Sequence, residues 1–204
     1  MFMYYRSVVR GLLHLKMNPV VKIFILADFL FFMAVQFLQP LFALFIVGRI
    51  PGANELTVAV ATTVHLLMRV LPEIPIGVWL DRTKSQRDDH LTLVVGTILV
   101  AMVYLFYPPI QTEGQLYLVH GLAGFASALI YPSWRSIFTR YIDKQRVAFE
   151  WSIYDVLTGV GMALGSALGG LLVVKYGFNA LFYSVSVLSL ISAGMILSVR
   201  KQIR

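Results

Sequence analysis

The chain lacks cysteine altogether, which excludes disulfides, thiol catalysis and thiolate metal sites. It is also poor in charge. Of its 204 residues only 13% are Asp, Glu, Lys or Arg, against about 25% in soluble domains. Hydrophobic residues make up 58%, more than one water-facing core of this size can hide. Lipid is the solvent that accommodates the excess. The formal charge of +7 lies between apolar runs and near the chain ends, where it orients a membrane protein, so nucleic acid is not an expected partner.

A membrane-spanning helix needs about 20 mainly apolar residues. Six such segments are predicted, at 20–47, 55–80, 91–109, 115–139, 149–174 and 178–199. Residues 19–204 thus form one transmembrane domain, preceded by an arm at 1–18. In that arm Arg6, Arg10 and His14 recur every four residues, the pattern of an amphipathic helix lying on the inner leaflet. Lys and Arg fall overwhelmingly on one side, fourteen against Arg49 and Lys175 on the other. The positive-inside rule then puts both termini in the cytoplasm of a multi-pass protein of the plasma or inner membrane.

Segments three and six contain no ionisable residue between Leu91 and Pro109 or between Phe178 and Val199, so they can face lipid. The other four each carry a polar stripe at helical spacing. Asp28, Phe32, Gln36 and Gln39 share a face of the first segment. His65, Arg69 and Glu73 share one of the second, with Thr62. Tyr117, His120, Gly124, Ser127, Tyr131 and Trp134 form the stripe of the fourth, with Arg135 beside the last. Asp155, Thr158, Met162 and Ser166 form that of the fifth.

At 1.5 Å per residue, Asp28 lies roughly 12 Å into the bilayer, and Arg69, Glu73 and Asp155 fall in the same inner layer. Ionisable groups at such depth are costly and mark pathways for solutes or ions. A substrate or ion path is therefore expected along Asp28, Phe32, Gln36, Gln39, His65, Arg69, Glu73, His120, Tyr131, Arg135 and Asp155. The competing bland reading pairs Arg69 with Glu73 inside one helix. No metal-ligand spacing and no nucleophile–base pair stands out, so neither a cofactor nor an enzyme is expected.

The loop after the second segment reads Gly77-Val78-Trp79-Leu80-Asp81-Arg82-Thr83-Lys84-Ser85-Gln86-Arg87. It resembles the G-x-L-a-D-R-x-G-R-K/R signature of the major facilitator superfamily, with Lys84 in place of the second glycine. The fifth segment, from Gly161 through Gly165 to Gly169 and Gly170, is similar to that family's G-x-x-x-G-P-x-x-G-G pattern, Ser166 replacing the proline. Its fourth-helix signature is not matched, since Tyr117 and His120-Gly121 stand there.

The resemblance implies an all-α integral membrane fold of six transmembrane helices, two inverted three-helix repeats equal to one half of a family member. It implies a secondary transporter of a small solute, possible proton coupling included, that works by alternating access. Half a transporter has one wall of a cavity, so a parallel homodimer about a two-fold along the membrane normal is expected. Helix two of one copy would then meet helix five of the other. Gly77, Asp81, Arg82 and Arg87 would face the glycine side of Gly161, Gly165 and Gly169. The alternatives are one half of a hetero-dimeric or truncated transporter, and a non-transporting scaffold or receptor.

Overall fold

A short polar step opens the first helix: the Asn18 side chain accepts from the Val20 amide at 2.9 Å, and Pro19 occupies the first turn, where its missing N–H costs nothing. We describe the fold from a computed structural model, which covers residues 17–83 and 85–203. The arm predicted at 1–18 therefore lies outside the described residues except for Met17 and Asn18.

Helix α1 (Pro19–Leu38) passes through a single 3-10 turn, Gln39–Leu41, into α2 (Phe42–Arg49). Pro40 sits inside that turn, where it cannot donate to the helical ladder. The chain then reverses at Pro51–Gly52, Gly52 taking the left-handed φ of 79° that the turn requires. Four further helices follow: α3 (Glu55–Thr83), α4 (Gln86–Tyr104), α5 (Glu113–Tyr141) and α6 (Val147–Ser198). Among the described residues there is no strand.

The structure departs from the six-segment expectation at the fifth and sixth segments and at the third. The fifth and sixth segments are continuous as the 52-residue α6, with a single non-helical residue, Gly177, at φ 78° and ψ 175°. A glycine tolerates that conformation without steric cost, so the chain changes direction in one residue and needs no loop. Four helical rods are long and apolar enough to cross a bilayer: Pro19–Arg49, Glu55–Thr83, Glu113–Tyr141 and Val147–Ser198. The shorter α4 begins with Gln86, Arg87, Asp88, Asp89 and His90, which lowers its apolar content.

Packing pairs α1 with α6 and α3 with α5, while α4 lies against both α5 and α6. Glycines make the closest approaches. A Cβ on Gly161 would lie 2.8 Å from the Phe29 carbonyl oxygen, and one on Gly165 or Gly169 would strike the carbonyls of Met33 or Phe37. Likewise Gly124 of α5 meets the His65 carbonyl of α3. Small residues permit this backbone-to-backbone contact, which supplies dispersion where no hydrophobic drive exists between helices in lipid.

This corrects one expectation. The glycine face of Gly161, Gly165 and Gly169 is buried within the chain against α1 and is closed to the Gly77 helix of a second copy. Gly77 itself is half-buried, its nearest neighbour being Pro132 of α5.

Two apolar clusters lie at opposite ends of the bundle. One gathers Phe42, Phe45, Tyr107 and Phe182, with Tyr107 stacked on Phe182 at 5.0 Å between centroids. The other gathers Phe24, Trp134, Phe138 and Ile196. Polar ties fix the ends. Thr57 donates to Glu113 at 2.6 Å, joining the starts of α3 and α5, and the Arg49 guanidinium donates to the Pro108 carbonyl at 2.9 Å. At the other end buried Asp89 pairs with Arg140 at 3.0 Å and accepts from Ser136 at 2.7 Å.

Candidate functional site

The polar stripes on α1, α3 and α5 turn toward one another in the packed bundle. Two neighbouring cavities result. The larger, of about 350 Å³, is lined by Gln36, Gln39, Thr62, His65, Arg69 and His120 together with aromatic walls from Phe32, Phe42 and Tyr131. The smaller, of about 190 Å³, contains Asp28 and Arg135 among Trp134, Trp151 and Tyr154. Phe31, Phe32, Ser127 and Tyr131 border both.

Charge is distributed unevenly between them. Glu73 forms an ion pair with Arg135 at 3.2 Å, across from α3 to α5. Arg69, one turn before Glu73, instead lays its guanidinium over the Tyr131 ring, 5.0 Å from the centroid, and Arg135 approaches the same ring at 5.6 Å. Such cation–π contacts suit a partly desolvated guanidinium. Asp28 is buried beside Tyr154 and has no ion pair among the described residues.

The two histidines are tied rather than free. His65 Nδ1 meets the His120 carbonyl oxygen at 3.1 Å, so that nitrogen carries a proton and donates. His120 Nδ1 and the Tyr107 hydroxyl share a hydrogen bond, and the His120 ring stacks on Phe42 at 4.6 Å. The chain from Tyr107 through His120 to His65 therefore runs into the larger cavity, and the carbonyl acceptor fixes the His65 tautomer.

Most residues predicted for the path are brought together: Asp28, Phe32, Gln36, Gln39, His65, Arg69, His120, Tyr131 and Arg135 line one cavity or the other, and Glu73 joins through Arg135. Asp155 does not join them. It is exposed on α6 and lines neither cavity, although Met162, two turns along the same face, does. Asp81, Arg82 and Arg87 are exposed at the end that holds the α3–α4 connection. Charge patterning does not reveal Trp151 and Tyr154, which line the smaller cavity, or Tyr107, which is hydrogen-bonded to His120. Trp151 and Tyr154 follow each other at i and i+3 on the face that meets Trp134 and Phe138, which is their one signal in the sequence.

The family model of the Major Facilitator Superfamily matches residues 24–202. The chain belongs to the major facilitator superfamily. Its fold agrees: it is similar to the POT family transporter PepTSo, known from an in meso crystal structure, with a TM-score of 0.71 and 15% identity. That similarity covers 93% of this chain and 39% of the transporter. Among curated relatives, a multi-drug resistance efflux pump PmrA homolog of Lactococcus lactis subsp. lactis (strain IL1403) is 20% identical over 114 residues. Those residues are 56% of this chain and 28% of the pump. This superfamily member thus spans well under half the length of the relatives it matches.

Proposed function

We propose that this chain forms one wall of a secondary transporter for a small organic solute, and that two parallel copies complete the path. The supporting observation is polar exposure beside the cavities. The Arg135 side chain is 63% exposed, and Gln39 and Thr62 are exposed too, although all three line a cavity at membrane depth. Leaving such groups against lipid is unfavourable, so a second wall belongs over them. A two-fold along the membrane normal supplies it from a copy of the same chain.

In this reading α6 supplies two of six spans, separated at Gly177, and α4 the third, with both ends of the chain in the cytoplasm of a cell membrane. The two walls rock about the cavities to expose them alternately. Asp28 and Glu73 are the proton carriers: Asp28 because it is buried without a cation, Glu73 because its partner Arg135 can release it when solute binds. The protein moves its solute without converting it. The Lactococcus relative is an efflux pump homolog, which favours export as the direction.

Purified protein in liposomes under a pH gradient tests the coupling. Uptake driven by the gradient should disappear in Asp28→Asn or Glu73→Gln, and uptake indifferent to both would end the proton reading. For the dimer, exposed Ile74 of α3 and Val156 of α6 stand nine residues from the cytoplasmic ends of their helices. In a chain that has no native cysteine, Ile74→Cys with Val156→Cys should crosslink between copies. A monomeric mass without crosslinks would defeat the homodimer. A second reading, favoured by coverage of only 28% and 39% of the matched relatives, takes the other wall from further polypeptide. Crosslinks that form only when a second protein is present would select it.

A further inference from the structure

Among the described residues Arg69 has no acidic partner. The two ion pairs among the described residues use Arg135 with Glu73 and Arg140 with Asp89, and the larger cavity is lined by no Asp or Glu at all. Arg69 is half-buried there, and its Nε–H is buried with no hydrogen-bond acceptor. A guanidinium that is partly desolvated and lacks a counter-ion is unfavourable, because the ring of Tyr131 offsets only part of the lost hydration. The cavity thus holds one fixed positive charge, a guanidinium without an acidic partner among the described residues.

The surrounding groups say what would satisfy it. Gln36 and Gln39 offer amide donors and acceptors, and Thr62 stands near the open side. Phe32 and Phe42 provide apolar walls. A guanidinium fork matches the two oxygens of a carboxylate or phosphate, and 350 Å³ is within the range of small-ligand sites. Asp28, the carboxylate that would repel an anion, lines only the neighbouring cavity, and Glu73 is held by Arg135.

We infer that the larger cavity binds a small organic oxyanion, its charged end on Arg69 and its apolar body between Phe32 and Phe42. The inference rests on the transport reading for its biological meaning, but binding is measured without transport. Full-length protein in nanodiscs would be titrated with benzoate, phenyl phosphate and benzylamine, three probes of similar size and different charge. Benzoate or phenyl phosphate should bind, and benzylamine should not. The stronger of the two anions identifies a carboxylate or a phosphate ester as the solute's head.

In Arg69→Gln the affinity for the bound anion should fall about tenfold or more, and Arg69→Lys, which keeps the charge but loses the fork, should fall between. The inference is overturned if neither anion binds, if benzylamine binds as tightly, or if Arg69→Gln stays within about twofold of the parent. Should Arg69→Gln not fold, the probe ranking on the parent and the Arg69→Lys series still decide. Anion binding without flux in liposomes would condemn the transport reading alone. Flux that ignores solute charge would condemn this inference alone.

Discussion

Glu73 pairs with Arg135 across two helices, at 3.2 Å, and not with Arg69 one turn back on its own helix. The i, i+4 neighbour is available by spacing alone, yet its guanidinium is drawn to the Tyr131 face. The result joins α3 to α5 at the cavity wall and leaves Arg69 without an acidic partner among the described residues.

A double-mutant cycle on this pair gives the first prediction. Arg135 is 63% exposed, so the coupling between Glu73→Gln and Arg135→Gln should be modest, about 0.2–1 kcal/mol by thermal unfolding in one detergent. The same cycle between Glu73→Gln and Arg69→Gln should give less. A larger coupling for the intrahelical pair would reverse the assignment.

Glycine contacts give a second prediction, with a built-in control. Gly165→Val and Gly169→Val must push α1 away from α6, costing about 1–3 kcal/mol or more each. Gly159→Ala, whose new Cβ meets nothing within 4 Å on an exposed face, should change the melting temperature little. Equal effects from Gly159→Ala and Gly165→Val would show that helix propensity, not close packing, governs this helix.

At the opposite end from the Tyr107 cluster, Asp89 is almost wholly buried while its partner Arg140 is partly exposed. Arg140→Gln should destabilise the protein by about 1.5–3 kcal/mol, since it leaves a buried carboxylate with Ser136 as its remaining donor. Combining it with Asp89→Asn should recover part of the loss, because the amide needs no counter-ion. Chemical or thermal unfolding of the three variants checks the order, and a double variant worse than Arg140→Gln would contradict it.

Tyr107 separates polar from packing contributions. Tyr107→Phe removes the hydroxyl that is hydrogen-bonded to His120 and should cost about 0.5–1.5 kcal/mol. Tyr107→Ala also empties the stack between Tyr104 and Phe182 and should cost about 3–5 kcal/mol. If both variants melt alike, the hydroxyl and not the ring holds this end of the bundle.

The polar stripes were legible because a helix repeats its faces at fixed spacing, and the residues of α1, α3 and α5 on those faces do converge. Asp155 illustrates the limit. Spacing placed it with Met162, but the cavity closes around Met162 alone, and depth along a helix is set by its packing partner. The glycine face was legible as a contact surface and not as a contact with α1. Small-residue spacing says that something approaches closely; it does not carry the identity of the neighbour.

Composition and the absence of cysteine determined the solvent and the chemistry excluded; the stripes determined which helix faces turn inward; and the loop and glycine motifs pointed to the family. Tertiary structure alone decided that α1 fills the glycine face, that Arg135 takes Glu73, and that Arg69 lines its cavity with no acidic partner among the described residues. Each is a choice among partners distant in sequence. Local periodicity fixes the direction a side chain takes from its own helix, whereas the group it meets depends on how separate helices dock.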